Sequence, residues 1–76
     1  MFKVTIINPR RTIYEGQANS VFLPGNEGEF EVLDFHRPII SLLRGGEIII
    51  DWNKYVAITK GVVKMHRNEL VALVEE

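Results

Sequence analysis

Leu23-Pro24-Gly25-Asn26-Glu27-Gly28-Glu29-Phe30-Glu31-Val32-Leu33-Asp34-Phe35-His36-Arg37-Pro38-Ile39-Ile40 is the stretch from which this chain is best read. Pro24-Gly25 suits the central positions of a type II turn, because proline presets φ and glycine accepts φ > 0. From Gly28 to Leu33 the residues alternate. Phe30 and Val32 point one way and Glu29 and Glu31 the other, which is the two-residue period of a half-buried strand. Asp34-Phe35-His36-Arg37-Pro38 is a second loop. The segment thus reads as two sharp turns around one strand, with an acidic tip and an exposed His-Arg pair.

Outward from it the same pattern continues in both directions. Upstream, Phe2, Val4 and Ile6 alternate with Lys3 and Thr5. Asn8-Pro9-Arg10-Arg11 then breaks the run, since Pro9 cannot donate to a ladder. Thr12 to Gly16 is a short strand ended by glycine. In Ala18 to Leu23, alternation sends Val21 and Leu23 inward and Ser20 and Phe22 outward. Downstream, Pro38 to Leu43 is mostly apolar, as expected of a strand covered on both faces. Arg44-Gly45-Gly46-Glu47 reads as a tight hairpin turn. Glu47–Trp52 and Lys54–Thr59 are strands around Asn53, Lys60-Gly61 interrupts, Val62–His66 follows, and Arg67-Asn68 is a turn. In Glu69–Glu76, Asn68 could cap a helix. The run is only about two turns long, short of the ~12 residues a marginal helix needs, and Leu70, Ala72 and Val74 alternate. It is read as a strand.

Many short strands with Gly/Pro punctuation and no helical period indicate an all-β class, a sandwich or flattened barrel formed as a single domain over residues 1–76. There are no cysteines, so neither a disulfide nor a thiolate metal site braces the fold. That composition fits a cytoplasmic protein. A net charge of −1 gives no global attraction to nucleic acid or anionic lipid. Charge is nevertheless uneven. No Lys or Arg occurs between Thr12 and His36, whereas Arg37 to Arg67 holds six against Glu47 and Asp51.

The residues offer little for catalysis. Ser20 and Ser41 lie within strands, without a nucleophile elbow or an oxyanion glycine motif. His36 and His66 lack metal-ligand spacing. His66 reads as a strand-end surface residue, and His36 as a loop residue that bonds locally or meets a partner. Gly25-Asn26-Glu27-Gly28 lacks the lysine of a phosphate loop, and Glu27 and Glu29 would repel phosphate. Glu29 and Glu31 share one face, which reads as a solvated surface. Trp52, Lys54 and Tyr55 could form a stacking platform for single-stranded nucleic acid on a small β-barrel, although burial of one ring and edge exposure of the other is the commoner arrangement. The residues alone therefore describe a small β domain that binds something.

The same segments resemble the N-terminal domain of the epsilon subunit of F-type ATP synthases. Lys3-Val4-Thr5-Ile6-Ile7-Asn8-Pro9 and Thr12-Ile13-Tyr14-Glu15-Gly16 resemble its first strands. Val21 to Phe30 is similar to S-x-x-L-P-G-x-E-G-E/D-F/I, and Phe35 to Leu43 to G-H-A-P-L-I-x-x-L. Ile58 to Met65 resembles V-S-G-G-F-V-E-V, and Asn68 to Glu75 the closing strand N-x-V-x-I-L-A-E. The departures are Asp34-Phe35 in place of Pro-Gly, Arg37 in place of Ala, and Glu31 and Lys60 in place of Gly.

The resemblance implies a ten-stranded antiparallel sandwich with no catalytic site and no cofactor. It implies a central-stalk subunit that grips the gamma subunit and rests on the polar loops of the membrane rotor ring, or c-ring. Such a subunit is a monomer when isolated, lies peripherally on the inner face of the cell membrane without inserting, and has no nucleic-acid partner. The family's Glu-Gly-Glu acid, here Glu29, meets the ring. Glu27, Glu31, His36 and Arg37 are the neighbours expected to share that contact at one edge of the sandwich. Most bacterial members continue into a C-terminal helical hairpin that inhibits hydrolysis. This sequence stops at Glu76, so no such arm is expected of it. A small barrel for single-stranded nucleic acid is the alternative.

Overall fold

Each alternating segment becomes a strand. The computed structural model describes residues 1–76 and contains nine strands: β1 Phe2–Ile7, β2 Thr12–Ala18, β3 Ser20–Gly25, β4 Gly28–Leu33, β5 Ile39–Leu43, β6 Gly46–Ile50, β7 Lys54–Ile58, β8 Lys60–His66 and β9 Glu69–Glu75. They form one continuous sheet in the order β2-β1-β9-β8-β5-β3-β6-β7, with β4 on the other side of β3. The β5–β3 junction is a single residue pair, Gly25↔Leu43. There the sheet folds over itself into two layers, β2-β1-β9-β8-β5 and β4-β3-β6-β7. The fold is thus the expected sandwich.

The core lies between the layers, and every strand contributes to it. Phe2, Val4 and Ile6 from β1, Val21 and Leu23 from β3, Ile48 and Ile50 from β6, and Leu70, Ala72 and Val74 from β9 are all buried. Period-2 alternation makes this automatic once the register is set, because a slip of one residue would expose the whole set. The last segment is a strand whose burial alternates without a break, as its sequence indicates.

Several local expectations change. Nine strands form, as the residues delimit them, where the family resemblance implies ten. One pairing, β1 with β9, is parallel. Pro24-Gly25 is not a turn but the end of β3, and the two-residue loop is Asn26-Glu27, closed by the pair Gly25↔Gly28. Proline is tolerated there because β3 changes partner along that edge, from β6 at Val21 and Phe22 to β5 at Gly25. Its missing N–H removes no ladder bond, and its carbonyl still accepts from Arg44 N–H at 2.9 Å.

Arg44-Gly45 makes no hairpin. β5 and β6 are separated by β3, so the segment crosses from one layer to the other. Gly16 and Gly61 lie inside β2 and β8 rather than ending them. At Gly61 the strands pack so closely that a Cβ would sit 2.8 Å from the Leu73 carbonyl oxygen and 2.9 Å from a Val74 methyl. Ser20 is buried rather than outward. β5 is covered on one face only, and its Ile40 and Leu42 are exposed.

Candidate interaction surfaces

The strand pairings sort the loops into two ends. One end holds Asn8–Arg11, the Asn26-Glu27 turn, Arg44-Gly45 and Thr59. The other holds Met1, Asn19, the 34–38 loop, the Asp51–Asn53 turn and Arg67-Asn68. β4 runs between the ends, with Gly28 beside Gly25 and Leu33 beside Ser20. Glu27 therefore stands at one end and His36 and Arg37 at the other. Six residues of strand, about 17–20 Å, separate them. The expected single cluster is instead a line along β4, because a hairpin loop and the following inter-layer crossing must lie at opposite ends of the strand between them. Glu29 and Glu31 point outward along that line, opposite Pro24 and Phe22. A groove joins the two ends. One depression of about 500 Å³ runs from Gly25–Glu29 to Ile40–Leu42. A second of about 290 Å³ includes His36 and Arg37, and the two meet at Phe30, Ile40 and Ser41.

Glu27, Glu29 and Glu31 take part in none of the four ion pairs, which are Met1 amine–Asp34, Lys3–Glu69, Arg11–Glu76 and Lys60–Glu75. Their carboxylates are unpaired within the domain. His36 bonds locally: its Nδ1 lies 2.7 Å from the Arg37 carbonyl, to which an Nδ1–H donates.

The loop beside it is held by side chains. The Met1 amine donates to Asp34 Oδ2. Asn68 Nδ2 donates to Asp34 Oδ1 at 2.8 Å, and Phe35 N–H donates to Asn68 Oδ1 at 2.7 Å. The amine first and then Asn68 hold the Asp34 carboxyl below the usual carboxylate range. Phe35 has φ 60°, a left-handed conformation suited to the glycine of the resembling motif. The Asp34-Phe35 departure thus occupies a glycine-like conformation.

The structure adds a surface that the sequence reading missed. Leu42 pairs with Val62, Val62 with Leu73, and Leu73 with Ile7, and all four side chains face away from the core. The next row is Ile40, Lys64, Val71 and Thr5. Ile40 is 76% exposed, Leu42 63% and Leu73 46%, and Lys64 is the one charge in the two rows. Single exposed apolar residues are ordinary, but a contiguous apolar sheet face marks an interaction surface. The outward positions of β9 carried the signal, since Leu70, Ala72 and Val74 facing inward leave Val71 and Leu73 outside.

Trp52 and Tyr55 are both exposed, so neither ring fills the core. Lys54 turns instead over the Tyr14 ring, 5.7 Å from its centroid. Glu31 and Glu47, on the same sheet face as Tyr55, oppose a nucleic-acid platform.

The family model for the "ATP synthase, Delta/Epsilon chain, beta-sandwich domain" matches residues 1–76. The chain belongs to this family. An ATP synthase epsilon chain of Sulfurimonas denitrificans is 43% identical over 77 aligned residues, covering 96% of this chain and 59% of the relative. One of Nitratiruptor is 39% identical, covering 96% and 60%. The chain thus spans about three fifths of the length of these curated relatives. Two solved assemblies contain a chain of the same fold. A mitochondrial ATP synthase central stalk/c-ring structure from Tetrahymena thermophila superposes with a TM-score of 0.80 at 19% identity, over 97% of this chain and 63% of that one. A Euglena gracilis mitochondrial ATP synthase structure gives 0.84 at 19%, over 96% and 49%. On this chain the apolar face and the unpaired acids are the two surfaces left without a partner inside the domain.

Proposed function

We propose that this domain is a central-stalk element of an F-type ATP synthase, coupling the gamma subunit to the membrane rotor ring during ion-driven ATP synthesis. It has a structural, non-catalytic role, peripheral to the membrane on its cytoplasmic side. The observation that carries this reading is the outward row Leu42–Val62–Leu73–Ile7 on a chain of the delta/epsilon family. A rotor element must not slip against its neighbours, and a rigid sheet face desolvates against a partner without loop ordering. The domain measures 27 × 26 × 21 Å. Its broad face therefore offers on the order of 700 Å², close to the ~800 Å² per partner of a standard interface.

Gamma is assigned to the apolar face. The rotor ring is assigned to the hairpin end, where Glu27 and Glu29 offer unpaired charge to basic loops. Glu31 continues that line along β4. His36 and Arg37, at the far end, are assigned to the upper part of the stalk contact rather than to the ring. The support is family membership together with the placement of unpaired charge and apolar area.

The test is co-purification of a tagged chain with its native complex, with bound partners identified by mass. Recovery of gamma and ring subunits is expected, and should be lost for Leu73→Glu in a chain that still melts cooperatively. Recovery of neither subunit by the unaltered chain would refute the reading.

A further inference from the structure

We infer that the outer face of the β4-β3-β6-β7 layer is a second docking surface, built for a cationic amphipathic segment of a protein partner. It lies on the opposite side of the sandwich from the Leu42–Ile7 row and goes beyond the stalk contacts assigned above. One cross-strand row on this face reads Glu31, Phe22, Ile49, Tyr55. Trp52 packs edge-on against Phe22, with ring centroids 4.7 Å apart and planes at 75°. Trp52 is 64% exposed and Tyr55 59%. The result is a contiguous aromatic and aliphatic strip in which Phe22 and Ile49 are half-buried and Trp52 and Tyr55 are exposed beside them.

The strip is also held rigid. Asp51 and Trp52 have φ of 51° and 65°. A bulky residue pays for that conformation. The turn persists because Asp51 is clamped to the start of β3. Its Oδ1 accepts from Asn19 N–H at 2.7 Å and Ser20 N–H at 3.2 Å, and its own N–H donates to the Ser20 carbonyl at 2.9 Å. An exposed tryptophan fixed in this way gives contact area at little ordering cost.

The charge around the strip selects the occupant. Glu31 borders it on β4, and Glu47, paired with Ala57, borders it on β6. Neither is in an ion pair, and no Lys or Arg occupies an outward position on these four strands. Lys54, the one basic residue on them, is turned toward Tyr14. Phosphate-bearing ligands and anionic lipid are repelled. A helix with Arg or Lys on its flanks and leucines between satisfies every element: cations over Trp52 and Tyr55 and beside Glu31 and Glu47, and aliphatic side chains on Phe22 and Ile49.

Trp52 is the chain's single tryptophan, so its fluorescence reports on this face directly. The 76-residue chain is titrated with a synthetic amphipathic Arg/Leu peptide, and with the same peptide carrying Glu in place of Arg. Saturable, salt-sensitive binding of the Arg peptide alone, with a shifted Trp52 emission, is expected. Glu31→Lys/Glu47→Lys should weaken it about tenfold or more, as should Tyr55→Ser, a substitution at an exposed site that leaves the core untouched. Leu73→Glu, on the opposite layer, should leave it unchanged. Absence of binding, equal binding of the Glu peptide, or an affinity that follows Leu73 rather than Tyr55 and the two acids would overturn the assignment.

Discussion

Asn68 and Phe35, thirty-three positions apart, are joined by one hydrogen bond: the Phe35 N–H donates to Asn68 Oδ1 at 2.7 Å. Asn68 has φ 60° and, with Arg67 at φ 54°, forms the two-residue turn between β8 and β9. Asparagine suits that conformation, and it leaves the side chain free to fix the 34–38 loop. A turn in one part of the chain therefore sets the shape of the loop that carries His36 and Arg37.

Phe35 is 83% exposed and left-handed, so its side chain packs little and its backbone is strained. Phe35→Gly should stabilise the domain by about 0.5–1 kcal/mol, the relief of left-handed strain less the added freedom of the unfolded chain. Urea denaturation checks this. Asn68→Ala should destabilise it by about 1–2 kcal/mol, since it removes an exposed hydrogen bond to the Phe35 N–H and sets alanine in a left-handed conformation.

Asp34 sets a pH dependence. Its folded-state carboxyl is held below the usual range by the Met1 amine and by Asn68. A depressed carboxylate contributes stability that is present above the unfolded pKa and disappears as pH falls through the folded one. The stability difference between the unaltered chain and Asp34→Asn should therefore be full at neutral pH and shrink as pH drops below about 4. Denaturation curves across that range read it directly, and a gap independent of pH would contradict the assignment.

Gly61→Ala tests the packing of β8 against β9. The added Cβ meets backbone, the Leu73 carbonyl oxygen, at 2.8 Å. The cost should be about 1–3 kcal/mol, as for other overpacked sites, with a corresponding fall in melting temperature.

Glu29 separates attraction from repulsion. In the proposed ring contact Glu29 is an exposed rim charge, so its deletion, Glu29→Gln, should cost coupling only ~0.2–1 kcal/mol. Glu29→Lys should cost more, by setting like charges against the basic loops proposed for the ring. Proton-pumping assays on membranes carrying each variant compare the two.

Much of the fold was legible because period-2 alternation states directly which side chains are inside. Phe2, Val4, Ile6, Val21, Leu23, Val32, Leu70, Ala72 and Val74 all went where alternation sends them. Connections were less legible. Pro24-Gly25 and Gly45-Gly46 look like turns locally, but pairing with β5 and β6 decides otherwise, and that pairing is nonlocal. Of the groups named as a site, only Glu29 and Glu31 lie on β4, and they face outward as alternation sends them. The clustering of the groups was not correct, because loop sequences do not say at which end of a strand they lie. The apolar outer face stayed hidden because Ile39 to Leu43 looks the same whether one or both faces are covered.

Leu42, exposed on the apolar face, is proposed to meet the gamma subunit. A photo-reactive residue placed at position 42 in the assembled ATP synthase tests it, with adducts identified by mass. Attachment to gamma, and none from position 17 on the edge strand β2, is the expected result. Attachment of position 42 to the rotor ring, or to nothing while position 17 labels gamma, would contradict it.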